Sequence, residues 1–258
     1  TRGTGNKKIL LRAVGPTLGA APFNVTGVLA NPRITLYRGS TSIAANDDWD
    51  ATVTSNTFFT SLGAFSLATG STDAALLQTL ASGGYTAHVT GPSGARGIAL
   101  VEVYDADSGT PAVELANIST RAMVGAVTDG ALIAGFVLTG TTSNTVLIRG
   151  VSQSMGTLHG MRRALGNSQV AVFDSKGVEI AANSIWGKTG RGNPNDDDDE
   201  DKQAEIDEAG DRTGAFRLPR GSTDSALIVT LPPGAYTAQV TGRNNSSGVA
   251  LVEIYEVR

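Results

Sequence analysis

The chain has 258 residues, of which 40% are hydrophobic and only 5% aromatic, with 32 glycines. Cysteine is absent, which excludes disulfides, thiolate metal sites and cysteine nucleophiles, and no run of 18 or more apolar residues exists from which to build a membrane-spanning helix. The formal charge of −4 hides a segregation: residues 193–211 hold 10 of the 24 acidic residues and one basic residue, leaving 19 basic and 14 acidic residues elsewhere.

In chain order, period-two alternation and short apolar runs predict strands near 8–14, 33–37, 64–67, 74–80, 85–91 and 97–104. In the run YTAHV, Tyr85, Ala87 and Val89 point one way while Thr86, His88 and Thr90 point the other. GPSG at 91–94 marks a turn. Residues 117–140, NISTRAMVGAVTDGALIAGFVLTG, add at least two strand-like runs, and further strands follow near 145–151, 169–173, 215–218, 225–231, 236–242 and 248–256. SKG, PPG and NNSSG punctuate them. The acidic stretch NPNDDDDEDKQAEIDEAGD predicts an exposed loop with a short helical turn around Lys202–Glu208. Short strands with Gly and Pro punctuation and almost no 3.6-residue periodicity predict an all-β chain of antiparallel β-sandwich domains.

The chain repeats itself. GAFSLATGSTDAAL at 63–76 returns as GAFRLPRGSTDSAL at 214–227, identical at 10 of 14 positions. YTAHVTG at 85–91 returns as YTAQVTG at 236–242, GIALVEVY at 97–104 as GVALVEIY at 248–255, ILLRAV at 9–14 as VLIRGV at 146–151, and IAANDDW at 43–49 as IAANSIW at 180–186. Two tandem modules are therefore expected, 1–116 and 117–258, the second with an acidic insertion at 193–211. Before VLIRGV the second copy carries residues 117–140; before ILLRAV the first has only Thr1–Lys7. One module thus has a strand pair that its twin lacks. An unpaired sheet edge invites a strand from a neighbouring chain, and a head-to-tail contact of that kind builds a filament. The alternatives are that 117–140 serves both modules, or that the chain, which opens at Thr1 with no Met or leader-like segment, is a processed form or a fragment.

Twinned residues read first as scaffold. Arg12 and Arg149 interrupt apolar strands, as do Glu102 and Glu253. A buried lone charge is costly, so Arg12 is expected to pair with Glu102 and Arg149 with Glu253, each pair fixing register more than adding stability. Asp73 and Asp224, in GSTDA and GSTDS, read as turn caps bonding backbone N–H groups. Trp49 and Trp186 read as core cover, whereas an exposed indole would be a platform for a sugar. His88 is replaced by Gln239 in the twin and His159 lies in a Gly-rich loop, so a Ser–His–Asp site is hard to assemble, and no G-x-S-x-G elbow presents a serine. The GKT within WGKTG lacks the first glycine of a phosphate loop, Ala182 standing there. Lys and Arg are scattered, with no aromatic–basic stripe for nucleic acid. No catalysis is expected.

The run NISTR…LIAGFV…LIRGV…NDDW…GSTD…GYTA…ALVEVYD resembles a repeat of large secreted and cell-surface bacterial proteins, and IAANDDW followed by PPGAYTAQVTG is similar to pre-peptidase C-terminal-type jelly rolls. The resemblance covers nearly the whole chain and implies jelly-roll-like sandwiches, an extracellular setting and, for some members, calcium. Calcium carries over to Asn46, Asp47 and Asp48 only, since Ser184 and Ile185 replace both aspartates in the twin. Asp196 and Asp198 in the acidic run complete the candidate calcium ligands. The expectation is an extracellular structural protein that assembles with itself into a surface filament or layer; the alternative is a glycan-binding or adhesive module, calcium-dependent, whose partner is cell-surface polysaccharide.

Overall fold

The computed structural model describes residues 1–107, 113–115, 117–126, 130–138, 140–188 and 200–257. It divides into two compact units, Thr1–Leu115 and Ala116–Arg258. Both are all-β sandwiches whose named strands pair antiparallel throughout.

Unit 1 contains β1 (Arg2–Gly3), β2 (Asn6–Val14), the one-turn α1 (Pro16–Gly19), β3 (Arg33–Arg38), β4 (Thr41–Asn46), α2 (Asn56–Ser61), β5 (Ala74–Ala81), β6 (Thr86–Thr90), β7 (Leu100–Asp105) and β8 (Val113–Glu114). Its two principal sheets have the orders β5-β2-β7 and β4-β3-β6, and β1 and β8 form a short ribbon. Unit 2 contains β9 (Asn117–Val124), β10 (Leu132–Leu138), β11 (Asn144–Val151), α3 (Gln153–Thr157), β12 (Ser168–Asp174), β13 (Glu179–Asn183), α4 (Glu200–Thr213), β14 (Ser225–Leu231), β15 (Gly234–Gly242) and β16 (Gly248–Val257). Its sheets have the orders β9-β16-β11-β14 and β10-β15-β12-β13. Counted along unit 2, the strands run 1-8-3-6 and 2-7-4-5, the order obtained when one long antiparallel hairpin ribbon folds over on itself: an eight-stranded jelly roll. Unit 1 keeps strands three to eight of that plan and, among the described residues, has no counterpart of the first two.

Alternation builds the layers. Ile9, Leu11 and Ala13 of β2 face the second sheet and pack with Ile34, Leu36, Leu76 and Leu80. Leu10 and Val14 point to the opposite face, where Trp49, Phe59, Ala64 and Leu67 cover them. Each unit is therefore three layers: sheet, sheet, and a helix-and-loop cover. Gly97 and Gly248 open the repeated G-x-A-L-V-E strand because another segment crosses there. A β-carbon on Gly97 would lie 2.5 Å from the Leu29 nitrogen, and one on Gly248 2.7 Å from the Leu165 backbone.

Two expectations are corrected here. Residues 64–67 and 215–218 are not strands but extended cover segments that bury Ala64, Leu67, Ala215 and Leu218. The alternation is real, but the partner is a sheet face, so no ladder forms. The described part of the acidic insertion is not an exposed loop with a short helical turn; it lies in the 14-residue helix α4. Gln203, Ile206, Ala209 and Gly210 form its buried stripe against Leu147, Tyr255 and Trp186, while its charges face outward. Ile206 is the one large apolar side chain on that stripe, which is why the charge pattern masked it.

Candidate functional site at the open side of the first unit

The same buried cluster occupies each sheet. Arg12 stands opposite Glu102 across β2 and β7, and Arg149 opposite Glu253 across β11 and β16. Arg12 Nε donates to Glu102 Oε2 at 2.9 Å, and Arg149 Nε to Glu253 Oε2 at 2.9 Å. Another bond from each guanidinium goes to the cover segment, Arg12 Nη1 to the Phe65 carbonyl at 2.6 Å and Arg149 Nη1 to the Phe216 carbonyl at 2.5 Å. The rings of Phe65 and Phe216 lie 4.5 and 4.3 Å from the respective guanidinium carbons. Tyr104 and Tyr255 donate their hydroxyls to the remaining glutamate oxygens at 2.6 and 2.8 Å. Each arginine thus ties two strands and the cover layer together, and the carboxylate is satisfied on both oxygens.

Burial, then the nearby Glu253 carboxylate, pushes the Tyr255 phenol above its ordinary value; burial, then the bond to Glu102, does the same for Tyr104. A phenol raised in the folded state stays protonated there while the unfolded chain ionises. The stability it contributes is therefore intact below about pH 10 and declines as pH rises beyond it. Urea midpoints for unit 2 are expected to fall steadily above that pH, and Tyr255→Phe should flatten the fall; an unchanged slope in the variant would contradict the assignment.

The GSTD aspartates cap turns at a distance, not their own. Asp73 accepts from the Gly15 N–H at 2.8 Å, from the Thr17 N–H and hydroxyl, and from Ser71 Oγ at 2.7 Å. Asp224 accepts from the Ser152 N–H at 2.6 Å, the Ser154 N–H and hydroxyl, and Ser222 Oγ at 2.6 Å. Both are fully buried and pin the turn after the central strand. Trp49 and Trp186 are buried beside them, their backbone N–H groups donating to the Asp73 and Asp224 carbonyls and their indole N–H groups to Ser71 and Ser222. They belong to the core.

Against these matched scaffolds, one side of unit 1 differs from its twin. In unit 2, β9 pairs with β16 and β10 with β15. In unit 1, among the described residues, β7 pairs only with β2 and β6 only with β3, so both sheets end on the same side with a strand edge that no described strand occupies. Residue-by-residue comparison shows the consequence. Val101 is 37% exposed where its equivalent Val252 is 1% exposed. Ala99, Val103, Tyr85, Ala87 and Val89 are only partly buried, whereas Ala250, Ile254, Tyr236, Ala238 and Val240 are buried. Ile98 is exposed as well. In unit 2, Val124, Leu132, Ala134 and Phe136 of the β9–β10 segment, whose two strands lie in opposite sheets, supply the cover. Unit 1 thus presents two free strand edges around a strip of uncovered apolar side chains, the surface on which natural sandwiches take up another strand.

No family model matches the chain, and no curated protein matches it. Among solved structures it is similar to the pre-peptidase C-terminal domain of a collagenase from Bacillus anthracis, with 10% identity over 54% of this chain and 89% of that one, at a TM-score of 0.30. It is also similar to the STIV MCP, with 12% identity over 100% of this chain and 89% of that one, at a TM-score of 0.27, and to infectious bursal disease virus VP2, with 9% identity over 98% and 57%, at a TM-score of 0.20. All three likenesses are remote, and the jelly-roll order stands on the chain's own strand pairing.

Of the candidate metal ligands, Asn46 closes β4 and Asp47 and Asp48 follow it. Both ends of the Asn46 side-chain amide are engaged, accepting from Ala75 N–H at 2.9 Å and donating to the Asp48 carbonyl at 2.9 Å. Its twin Asn183 makes the equivalent bonds to Ala226 and Lys188. This asparagine is a latch between β4 and β5, which explains its recurrence without a metal. Asp47 pairs with Arg33 at 3.1 Å on the surface. Asp196 and Asp198 lie outside the described residues, and among the described residues no group of three or more His, Asp or Glu is disposed to hold a metal ion. His88 packs against Tyr37 and His159 against Phe216, both on the surface. Sequence reasoning passed over Lys7, which is fully buried at the start of β2 with its ammonium 2.5 Å from Asp105 and 3.1 Å from Asp107. The Lys7 ammonium beside it holds the Asp107 carboxyl below the usual carboxylate range. The signal available was the absence of a charge at the twin position, Asn144.

Proposed function

We propose that this protein is a structural, non-enzymatic module of a secreted or cell-surface assembly, joined through the open side of unit 1. The observation that carries this reading is the pair of free edges on β6 and β7 beside Val101 and Ile98, at the place its twin covers with two strands. Unit 2 offers complementary edges. Among the described residues β9 and β10 are each paired on one side only, and Met123, Ile133 and Val137 on them are exposed. A contact between such an edge and the open side of another copy is head to tail, and it builds a filament or a row within a layer wherever its rotation does not close. The sugar-binding alternative would rest on a stacking platform, and the twin tryptophans are buried in the core.

Sedimentation across a concentration series is the test, with electron microscopy of the concentrated sample. Association that rises with concentration is expected. It should be lost in Val101→Lys, which places an inward-pointing charge on the open edge where a solvent path already exists. A chain that stays monomeric throughout, with the β6 and β7 amides already protected from exchange in the monomer, would remove the basis of the reading.

A further inference from the structure

A copy that associates edge to edge reaches only the rim of the open side. Its own β9–β10 segment is held in its own unit 2 by Val124, Leu132 and Phe136, all buried. Surrendering that segment to a neighbour would fill one vacancy by opening another, with no net gain in burial. Among the described residues each chain has two sandwiches to complete and one such pair of strands. Full closure of unit 1 therefore calls for a strand–turn–strand segment that is not already engaged.

We propose that the open side of unit 1 is a receptor for a free strand–turn–strand segment supplied in trans, one strand adding to each sheet, carrying the inward pattern of residues 117–138. This rests on the reading of that side as a joint, and it names the partner by its chemistry. The occupied twin supplies the register. In unit 2, Ile118, Thr120 and Ala122 stand opposite Ile254, Val252 and Ala250, and Leu132, Ala134 and Phe136 stand opposite Val240, Ala238 and Tyr236. Transferred by the repeat, the incoming first strand lies antiparallel to β7, with its three inward residues opposite Val103, Val101 and Ala99. The second strand lies antiparallel to β6, with the Leu, Ala and Phe positions opposite Val89, Ala87 and Tyr85. Every uncovered inward residue of unit 1 then gains the kind of neighbour its twin has. The short β1–β8 ribbon and Leu115 touch this core, but among the described residues no strand pairs with either edge. The docked segment buries more than a rim contact does, so it displaces a second copy and acts as a cap on assembly.

The probe is a synthetic peptide of residues 117–138 added to the full chain. Saturable one-to-one binding is expected, with amide exchange slowed at least about tenfold in 86–90 and 100–105, unchanged exchange in 234–242 and 248–257, and dissociation of any oligomers. Register is read by cross-linking, which is clean because the chain has no cysteine. Val101→Cys in the chain should form a disulfide with a peptide carrying Thr120→Cys and not with one carrying Ser119→Cys, whose side chain faces the other way. A peptide carrying Leu132→Asp and Phe136→Asp should not bind. Equal cross-linking at both positions, or protection that appears in 234–257 in place of β6 and β7, would overturn the proposal, as would no binding. A chain that associates with itself yet ignores the peptide refutes the strand-pair receptor and leaves the assembly reading intact. A chain that binds the peptide but never associates does the reverse.

Discussion

Arg149→Ala is expected to destabilise unit 2 by about 3–5 kcal/mol, because it strands the Glu253 carboxylate, only 6% exposed, without a counter-charge. The same change removes the bond to the Phe216 carbonyl and the stacking on its ring, so the cover segment loses its anchor to the sheet. Arg12→Ala should cost less. Glu102 sits on the open edge and is 13% exposed, so water reaches the orphaned carboxylate more readily. Denaturant titration of each variant, read by amide exchange in the two units separately, checks both numbers and their order. If the pair is there for register, the double change Arg149→Met with Glu253→Leu should recover most of the lost stability, since a buried ion pair replaced by apolar groups of similar volume is close to neutral. Equal losses in the two single variants would mean that the open edge gives Glu102 no solvent relief.

The second large effect lies in the β9–β10 segment. Phe136→Ala should destabilise unit 2 by about 3–5 kcal/mol. Phe136 is 9% exposed, stacks on Tyr236 at 5.5 Å between centroids, and closes the core on the side that unit 1 leaves open. Its neighbours all belong to unit 2, so unit 1 amides should exchange at their original rates. Because two units are present, one global midpoint is not an adequate measure; exchange or proteolysis mapped by segment is. The variant also mimics unit 1, in that Val252 and Val240 should become as accessible as Val101 and Val89 are. A loss below 1 kcal/mol would show that the segment is dispensable to unit 2, and the significance given to its absence from unit 1 would lapse.

Much of this was legible before any coordinates. The repeat located the twin strands, the placement of Arg12, Arg149, Glu102 and Glu253 within apolar runs marked cross-strand partners, and residues 117–140 marked the strands that one copy lacks. These are period-two patterns and duplicated charges, which local sequence carries directly. What misled was equally specific. The segments 64–67 and 215–218 alternate like strands, yet their carbonyls serve guanidinium groups and their side chains line a cover. The insertion helix α4 hides its buried stripe among ten acidic residues in 193–211, because one large apolar contact suffices when the sheet beneath supplies the rest. Asn46 recurs in both copies, and only its partner strand shows that the amide is bonded to β5.

By itself the sequence determined the all-β class, the duplication and the inequality of the two copies, since alternation and repetition are properties of neighbouring residues. The tertiary structure alone decided where that inequality matters. Strands one and two of the jelly roll lie next to strands eight and seven, far from them along the chain, so only the folded sheet shows that losing the pair bares β7 and β6 together on one side. Exposure of Val101 against burial of Val252 is a consequence of long-range strand order, which no local pattern encodes.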